Sequence, residues 1–333
     1  MPPHDVVELA ARLMELDSTS GREGPVVDWL ESYLAGAGWH MRRIPVTPGR
    51  DALLATAGDA PQLTFSTHLD TVPPYIPPRI DGNRLRGRGA CDAKGIAAAM
   101  IGAAERLRAG GDAVALLFVI GEETTHDGAI AANRVKNTSR VLINGEPTES
   151  TLAVGTKGAM RFTLSTRGEP AHSAYPHLGR SALADLVRLL AELETLDLPT
   201  DAMLGDTTIN IGFIEGGVAD NVMAPAAVAR LMARLVTPAE DLEARLQSWL
   251  AGRATYERGI TVPPVRLGTL PGFPTSVAAY ATDIPKLGNW GTPYLFGPGS
   301  IHVAHRDDEW IAIPELHASV DAYVAIARQA LST

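Results

Sequence analysis

The 333-residue sequence has only one cysteine, Cys91, so no internal disulfide can form. A lone thiol fits a reducing compartment. Long apolar runs are also missing: no stretch reaches the roughly 18–20 residues that a membrane helix needs. Positive charge is not in surplus. The formal net charge is −9, whereas a nucleic-acid partner would want a basic face. The opening Met1-Pro2-Pro3-His4-Asp5 lacks a basic segment followed by an apolar one, so no secretory signal is read. These absences set the expectation of a cytoplasmic protein with neither a nucleic-acid nor a membrane partner. Apolar residues, by contrast, make up 45% of the chain, enough for a sizeable core, and the length allows two domains of ordinary size.

Val6–Leu16 and Val26–Leu34 carry apolar residues at helical spacing, with Ser18-Thr19-Ser20-Gly21 between them as a cap for the second helix. Short apolar runs follow, then the Ala-rich stretch Gly95–Leu107, a buried helix opening just after Asp92. Strand and helix alternate to about Glu146. That alternation predicts an α/β fold with a mostly parallel sheet flanked by helices. The pattern changes after Gly155-Thr156-Lys157-Gly158. Met160–Arg167, Thr208–Ile214 and Ala227–Val236 alternate apolar and polar residues, the mark of antiparallel strands with one wet face. Two helices fall among them, Ser181–Leu196 and Pro238–Leu250. The second reads as Thr237 at the N-cap, Pro238 at the first helical position and Glu240 completing a capping box. α/β character resumes near Thr275 and closes with the helix Pro314–Leu331. The expected organisation is a discontinuous α/β domain, 1–157 and 270–333, interrupted by an inserted α+β domain, 158–269.

Chemistry-bearing residues follow the apolar runs. Leu63–Thr67 precedes His68, Val114–Ile120 precedes Glu122 and Glu123, Val141–Ile143 precedes Glu146, and Tyr294–Phe296 precedes the loop with His305. Ligands of open α/β sheets bind beyond the carboxyl ends of the strands, so these distant residues can converge. They are the types that hold divalent metal and activate water. His68 and Asp70 share one face of an extended segment, and Asp70 can supply the acceptor that orients a metal-bound imidazole. Asp92 sits where the turn Gly87-Arg88-Gly89 meets a helix, as a carboxylate shared by two cations or as an ordinary N-cap. That turn lacks the full Gly-x-Gly-x-x-Gly spacing of a dinucleotide site. Glu122 and Glu123 are adjacent acids at a buried strand end. They repel each other and resist desolvation, and bound cations relieve both effects. One can bind metal while its neighbour takes a proton from water. In Gly297-Pro298-Gly299-Ser300-Ile301-His302-Val303-Ala304-His305, backbone N–H groups at Gly299 and Ser300 can hold a carboxylate. On spacing alone, either His302 or His305 can be a ligand.

Taken in order, these segments resemble the dinuclear zinc deacetylase and exopeptidase family, which includes acetylornithine deacetylase, succinyl-diaminopimelate desuccinylase, aminoacylase and glutamate carboxypeptidases. The likeness runs over nearly the whole chain. It implies a catalytic metal-binding domain in two pieces and an inserted lid and dimerisation domain, with a homodimer formed through the lid. It implies two zinc ions, for which Co²⁺ or Mn²⁺ can substitute. His68 and Glu146 would hold one ion, Glu123 and His305 the other, and Asp92 would bridge them. Glu122 would be the general base and Asp70 would orient His68. His305, not His302, matches the family's Ala-His-x-x-Asp-Glu pattern, and a cis peptide is expected after Asp92.

In Gly168-Glu169-Pro170-Ala171-His172-Ser173-Ala174-Tyr175-Pro176, His172 matches the lid histidine that stabilises the oxyanion, while Asn221 and Arg234 match substrate-contacting positions. His4, His40, His126, His177 and His317 match nothing catalytic and read as structural or surface residues. Cys91 reads as packing. The implied reaction is hydrolysis of the amide of an N-acyl, specifically N-acetyl, amino acid with a free carboxylate. The length and the Gly-Pro-Gly-Ser-Ile…Ala-His segment look most like the acetylornithine, acetylcitrulline and acetyl-lysine deacetylases. Many of those carry an acid where this chain has His302, which removes support for a basic substrate side chain. One alternative is a di- or tripeptidase or carboxypeptidase of the same family. Another, of a different class, is a metal-binding scaffold that no longer catalyses. Its signature would be a lost ligand or a lost Glu122, and neither is lost.

Overall fold

The computed structural model describes residues 5–333, so His4 lies outside the described residues. The chain forms two compact units. One comprises the residues up to Val154 with Leu267–Ser276 and Thr282–Thr333, and the other Gly155–Arg266 with Val277–Ala281.

The first unit is built on a six-stranded sheet in the order His40–Thr47, Arg50–Ala57, Val114–Val119, Leu63–His68, Val141–Asn144, Thr292–Leu295. The last four strands run parallel. The first two form an antiparallel edge hairpin. Every residue of Leu63–His68, Val114–Val119 and Val141–Asn144 is buried. This is why these strands read as continuous apolar runs: a parallel strand is covered by helices on both faces. On one face the helix Lys94–Ala109 packs between Val6–Met14 and Ile313–Leu331. Its Ala97, Ala98, Ala99, Ala103 and Ala104 are buried on every side, as a helix deep in a core requires. Phe65 and Phe296 meet the ring of Tyr323 edge-on there. On the other face Leu117, Leu142 and Trp290 pack with the short helix Asp127–Ala132.

The segment Ser18–Gly21 does not cap the second helix. Gly24–Gly36 starts after Glu23, which makes no side-chain cap. The carboxylate of Glu23 instead accepts from Arg50 Nη2 at 2.7 Å and from Gly21 N at 2.9 Å. Ser18 and Ser20 are turned inward: Ser18 Oγ donates to Leu69 O and Ser20 Oγ to Asp70 Oδ2. The strand that rejoins the central sheet is Thr292–Leu295, while Thr275–Ala278 belongs to a different sheet.

The second unit is a four-stranded antiparallel sheet ordered Thr208–Gly216, Ala226–Leu235, Gly158–Arg167, Thr255–Val262. Met160, Phe162 and Leu164 alternate inward and pack with Ala229, Leu231 and Ala233 beneath the helices Ala182–Ala191 and Ala239–Leu250. The strand Thr255–Val262 escapes the sequence pattern because charged residues and Gly259 interrupt its alternation, and its register with Gly158–Arg167 shifts between Arg258 and Thr261. The capping box is also displaced. Pro238 has ψ 144° and is itself the N-cap, without a side-chain bond. The helix therefore starts one residue late, and Glu240 falls out of box geometry. The stretch Ser181–Leu196 divides into an α-helix, Ala182–Ala191, capped by Ser181, and a 3₁₀ turn, Glu192–Thr195. No helix among the described residues is long and apolar enough to cross a membrane.

Glycine lets the strand ends of the first unit close on the helix behind them. A Cβ on Gly145 would lie 2.4 Å from Ile96 Cγ2, and one on Gly297 would lie 2.3 Å from the carbonyl oxygen of Glu146. The second clash is with backbone and cannot be relieved by a rotamer change. Gly297→Ala is expected to cost about 1–3 kcal/mol through overpacking, read as a lower urea midpoint. An unchanged midpoint would show that the strand end is not tightly held.

Candidate metal centre

The parallel strands deliver their last residues to one edge. His68 ends Leu63–His68 and pairs with Val119, while Ser66 pairs with Asn144. Glu122 and Glu123 therefore emerge on one side of His68, and Glu146 on the other. Asp92 comes from the turn before Lys94–Ala109. It is not the cap of that helix, because Ala93 holds the N-cap position. The Asp92–Ala93 peptide is cis. Asp92 Oδ1 lies 2.9 Å from His68 Nε2, and Asp92 Oδ2 lies 3.3 Å from His305 Nε2. His305 Nε2 also lies 3.0 Å from Glu123 Oε1, and His68 Nε2 lies 3.9 Å from Glu146 Oε2. One donor atom each of His68, Asp92 and Glu123 falls within 4.8 Å of the others. All five residues assigned by the resemblance to metal thus converge, with Asp92 in the middle. No hydrogen-bond donor among the described residues reaches Glu146.

Buried polar contacts fix these side chains. His68 Nδ1 lies 2.9 Å from the backbone oxygen of Asp70 and 3.6 Å from its Oδ1. The Asp70 carbonyl is the nearer acceptor and orients His68, with the Asp70 carboxylate close behind it, leaving the Nε2 lone pair for a ligand. The Asp70 carboxylate has another task. It accepts from the backbone N–H of Glu122 at 3.1 Å, from that of Glu123 at 3.2 Å and from Ser20 Oγ at 2.8 Å. A second clamp escaped the sequence reading. Glu309 Oε1 accepts from the N–H groups of Cys91 and Asp92 at 3.0 and 3.2 Å, and its Oε2 accepts from the buried Arg88 at 2.6 Å. The only available signal was that Glu309 closes the Ala-His-x-x-Asp-Glu pattern.

The charge balance of the cluster calls for cations. Burial pushes the Glu122 and Glu146 carboxyls well above the ordinary range, reinforced at Glu122 by the charge of Glu146 and at Glu146 by that of Asp92, and burial raises Glu123 too. Burial alone would also raise Asp92, but its bonds to His305 and His68 hold it below the usual value. Hydrogen bonds to Asp92 and Glu123 lift His305 to about 10. Burial disfavours the charged form of His68, yet Asp70, Asp92 and Glu146 raise its pKa well above normal. Protonated imidazoles thus do the neutralising that metal ions would do. Two imidazole nitrogens and three carboxylates around one small space are a donor set that fits a pair of divalent cations.

A model described as peptidase dimerisation domain matches residues 154–254. A peptidase M20 domain-containing protein of Schizosaccharomyces pombe is 38% identical over 332 residues, covering 96% of this chain and 83% of that protein. The chain belongs to the M20 peptidase family, and it is a metallopeptidase. A probable carboxypeptidase of Uncinocarpus reesii is 34% identical over 387 residues, covering 98% of this M20 peptidase and 87% of that protein. Among solved structures, aminopeptidase PepT from Bacillus cereus superposes with a TM-score of 0.80 at 20% identity over 97% of each chain, a likeness of fold.

Other sequence-selected residues of this M20 peptidase fall into place differently. The Gly299 N–H already donates to Glu315 Oε1 at 2.8 Å, and Ser300 Oγ donates to Glu149 Oε1 at 2.5 Å. The glycine turn therefore spends these donors inside the protein. With φ +81°, Gly299 lets the chain pass Cys91, whose Sγ would lie 2.6 Å from an added Cβ. Burial pushes the Cys91 thiol well up, which suits packing rather than reactivity. The His302 N–H donates to Ser300 Oγ and its side chain is exposed. In the inserted unit, His172 bridges to Val222, and Ser173 N donates to Asn221 O, so His172 and Asn221 are neighbours. Ala174 N–H donates to His172 Nδ1 at 3.1 Å. That places the ring proton of a neutral His172 on Nε2 as a free donor. Arg234 is half-buried, and its guanidinium makes no hydrogen bond or ion pair among the described residues. His126, read as a structural or surface residue, lies instead beside Glu122 and Asp283.

Metal entry must displace protons from His305 and His68. Their folded-state values are raised, so in metal-free protein the imidazole–carboxylate contacts contribute fully below about pH 6.5. That contribution is lost as pH climbs toward the His305 value of about 10. Apparent zinc affinity is therefore expected to rise steeply from pH 6 to pH 8, with calorimetric heats that depend on the buffer. A pH-independent affinity would contradict the proposed exchange of protons for metal.

Proposed function

We propose that this M20 peptidase is a dinuclear metallo-exopeptidase that cleaves the terminal bond of short peptides bearing a free carboxylate. The observation that carries this reading is Asp92, with one oxygen toward His68 and the other toward His305. On this reading His68 and Glu146 hold one ion, Glu123 and His305 the other, and Asp92 both. Zinc suits the donors best, and Co²⁺ or Mn²⁺ can occupy the same set. When bound, such a pair supplies Lewis acidity that acidifies water and polarises a carbonyl. The protein supplies the rest. Glu122 is the base: with its proton affinity raised by burial, it takes a proton from water and passes it to the leaving amine. His172 offers Nε2–H to the developing oxyanion. Arg234, a guanidinium without a partner among the described residues, and Asn221 receive the substrate carboxylate.

Peptide substrates are favoured because the relatives carry carboxypeptidase and peptidase names. N-acetyl amino acid hydrolysis is the second reading, favoured by the Gly297–Ser300 and Ala304-His305 segments. A homodimer through the inserted unit belongs to the proposal. Its edge strand Thr208–Gly216 exposes Ile211, Phe213 and Ile214, an apolar edge that a second copy would cover. A cytoplasmic location is also part of it, in keeping with the single buried thiol.

Glu122→Gln is expected to keep its full metal content by elemental analysis and to lose about 10²–10⁴-fold in kcat. Near-normal turnover by that variant would remove Glu122 from the base role. A panel of di- and tripeptides beside N-acetyl amino acids decides the substrate. Faster cleavage of the peptides is expected, and preference for the acetyl compounds would reverse the assignment.

A further inference from the structure

The turn after the base carries groups that hydrolysis does not use. His126 has φ +56°, a left-handed conformation uncommon outside glycine. Its N–H donates to Gly121 O at 2.7 Å, which holds the turn closed. Strain of this kind in a non-glycine residue points to a role for the side chain it aims. Here the imidazole is turned back against the acids. Nδ1 stands 2.8 Å from Asp283 Oδ1 and 3.9 Å from Glu122 Oε1. Only 12% of the His126 side chain is exposed, and 2% of that of Asp283. The second oxygen of Asp283, Oδ2, is buried and meets no hydrogen-bond donor. An orphaned carboxylate oxygen in that position is costly unless something satisfies it. One donor atom each of Glu122, His126 and Asp283 lies within 4.8 Å of the others.

We propose that Glu122, His126 and Asp283 form a third divalent-cation site, distinct from the pair around Asp92, whose filling withdraws Glu122 from catalysis. One imidazole and two carboxylates, with water in the remaining place, suit zinc and neutralise its charge. The imidazole selects against Mg²⁺. A carboxylate that lends its lone pair to an ion cannot accept a proton at the same time. Excess zinc is therefore an inhibitor written into the base's own surroundings. The binding stands on His126 and Asp283; the inhibition also rests on the reading of Glu122 as base. The competing arrangement is a plain His126–Asp283 pair that steadies Glu122, and it takes up no ion.

The experiment starts from enzyme already loaded with two equivalents of zinc. Further Zn²⁺ is added in a calorimeter while peptide hydrolysis is followed in parallel. One additional, weaker equivalent is expected, with inhibition over the same concentration range. His126→Gln and Asp283→Asn should each weaken that equivalent about tenfold or more, by analogy with the loss of other metal-site partners. Each should raise the half-inhibiting zinc concentration in proportion, measured against the variant's own uninhibited rate. His126→Gln keeps a hydrogen-bonding side chain against Asp283 and decides the matter if Asp283→Asn does not fold. Absence of a further equivalent, or wild-type binding by the variants, overturns the site. Binding without inhibition overturns the withdrawal of Glu122. If Glu122→Gln stays active, the base reading fails, while weakening of the extra equivalent in His126→Gln and Asp283→Asn still upholds the site.

Discussion

The carboxylate of Asp92 is shared between two imidazoles that reach it from distant parts of the chain. His68 approaches one oxygen from the end of a buried parallel strand, and His305 approaches the other from a loop more than two hundred residues later. Almost every other feature of the first unit can be understood as holding that carboxylate still. Glu309, on the loop that carries His305, grips the backbone N–H groups of Cys91 and Asp92, and is itself held by Arg88 from the turn before Asp92. Both are buried, and each charge is met by the other, through Arg88 Nη1 and Glu309 Oε2 at 2.6 Å. Asp70 plays the matching part for the acids, fixing the N–H groups of Glu122 and Glu123.

The result is a dense negative cluster at the carboxyl edge of a parallel sheet. Such a cluster must be neutralised by something. Without metal, protons on His68 and His305 do the work, which is why those two imidazoles titrate high. With metal, the same nitrogens become ligands and the protons leave. Metal loading and proton release are therefore two sides of one event. The Glu122 carboxyl, pushed well above the ordinary range by burial, is poised to trade protons with water.

Much of this was legible in the sequence, and the reason is geometric. A strand buried on both faces announces itself as a continuous apolar run, and the polar residue that ends it is placed by the sheet. His68, Glu122, Glu123 and Glu146 could be found that way. The groups that orient them could not. The nearest acceptor to His68 Nδ1 is the Asp70 carbonyl, and no side-chain pattern records a backbone acceptor. Glu309 and Asp283 act across 217 and 157 residues of sequence, at distances that no periodicity spans. A lone histidine in a loop reads as a surface residue, and no residue pattern records the left-handed backbone of His126. Gly299 differs for a related reason: a glycine turn advertises free N–H groups, but the sequence does not show that Glu315 takes one. The displaced cap at Pro238 is a smaller case, in which one extended ψ shifted the helix start by a residue.

Anomalous diffraction from crystals of the protein loaded with two equivalents of zinc tests the role of Asp92 most directly. Two peaks are expected, about 3.5–4 Å apart as in two-metal sites. One Asp92 oxygen should lie on each, with His68 beside one peak and His305 beside the other. A single peak, or two peaks with Asp92 bound to neither or to only one, would contradict the shared carboxylate on which the metal centre depends.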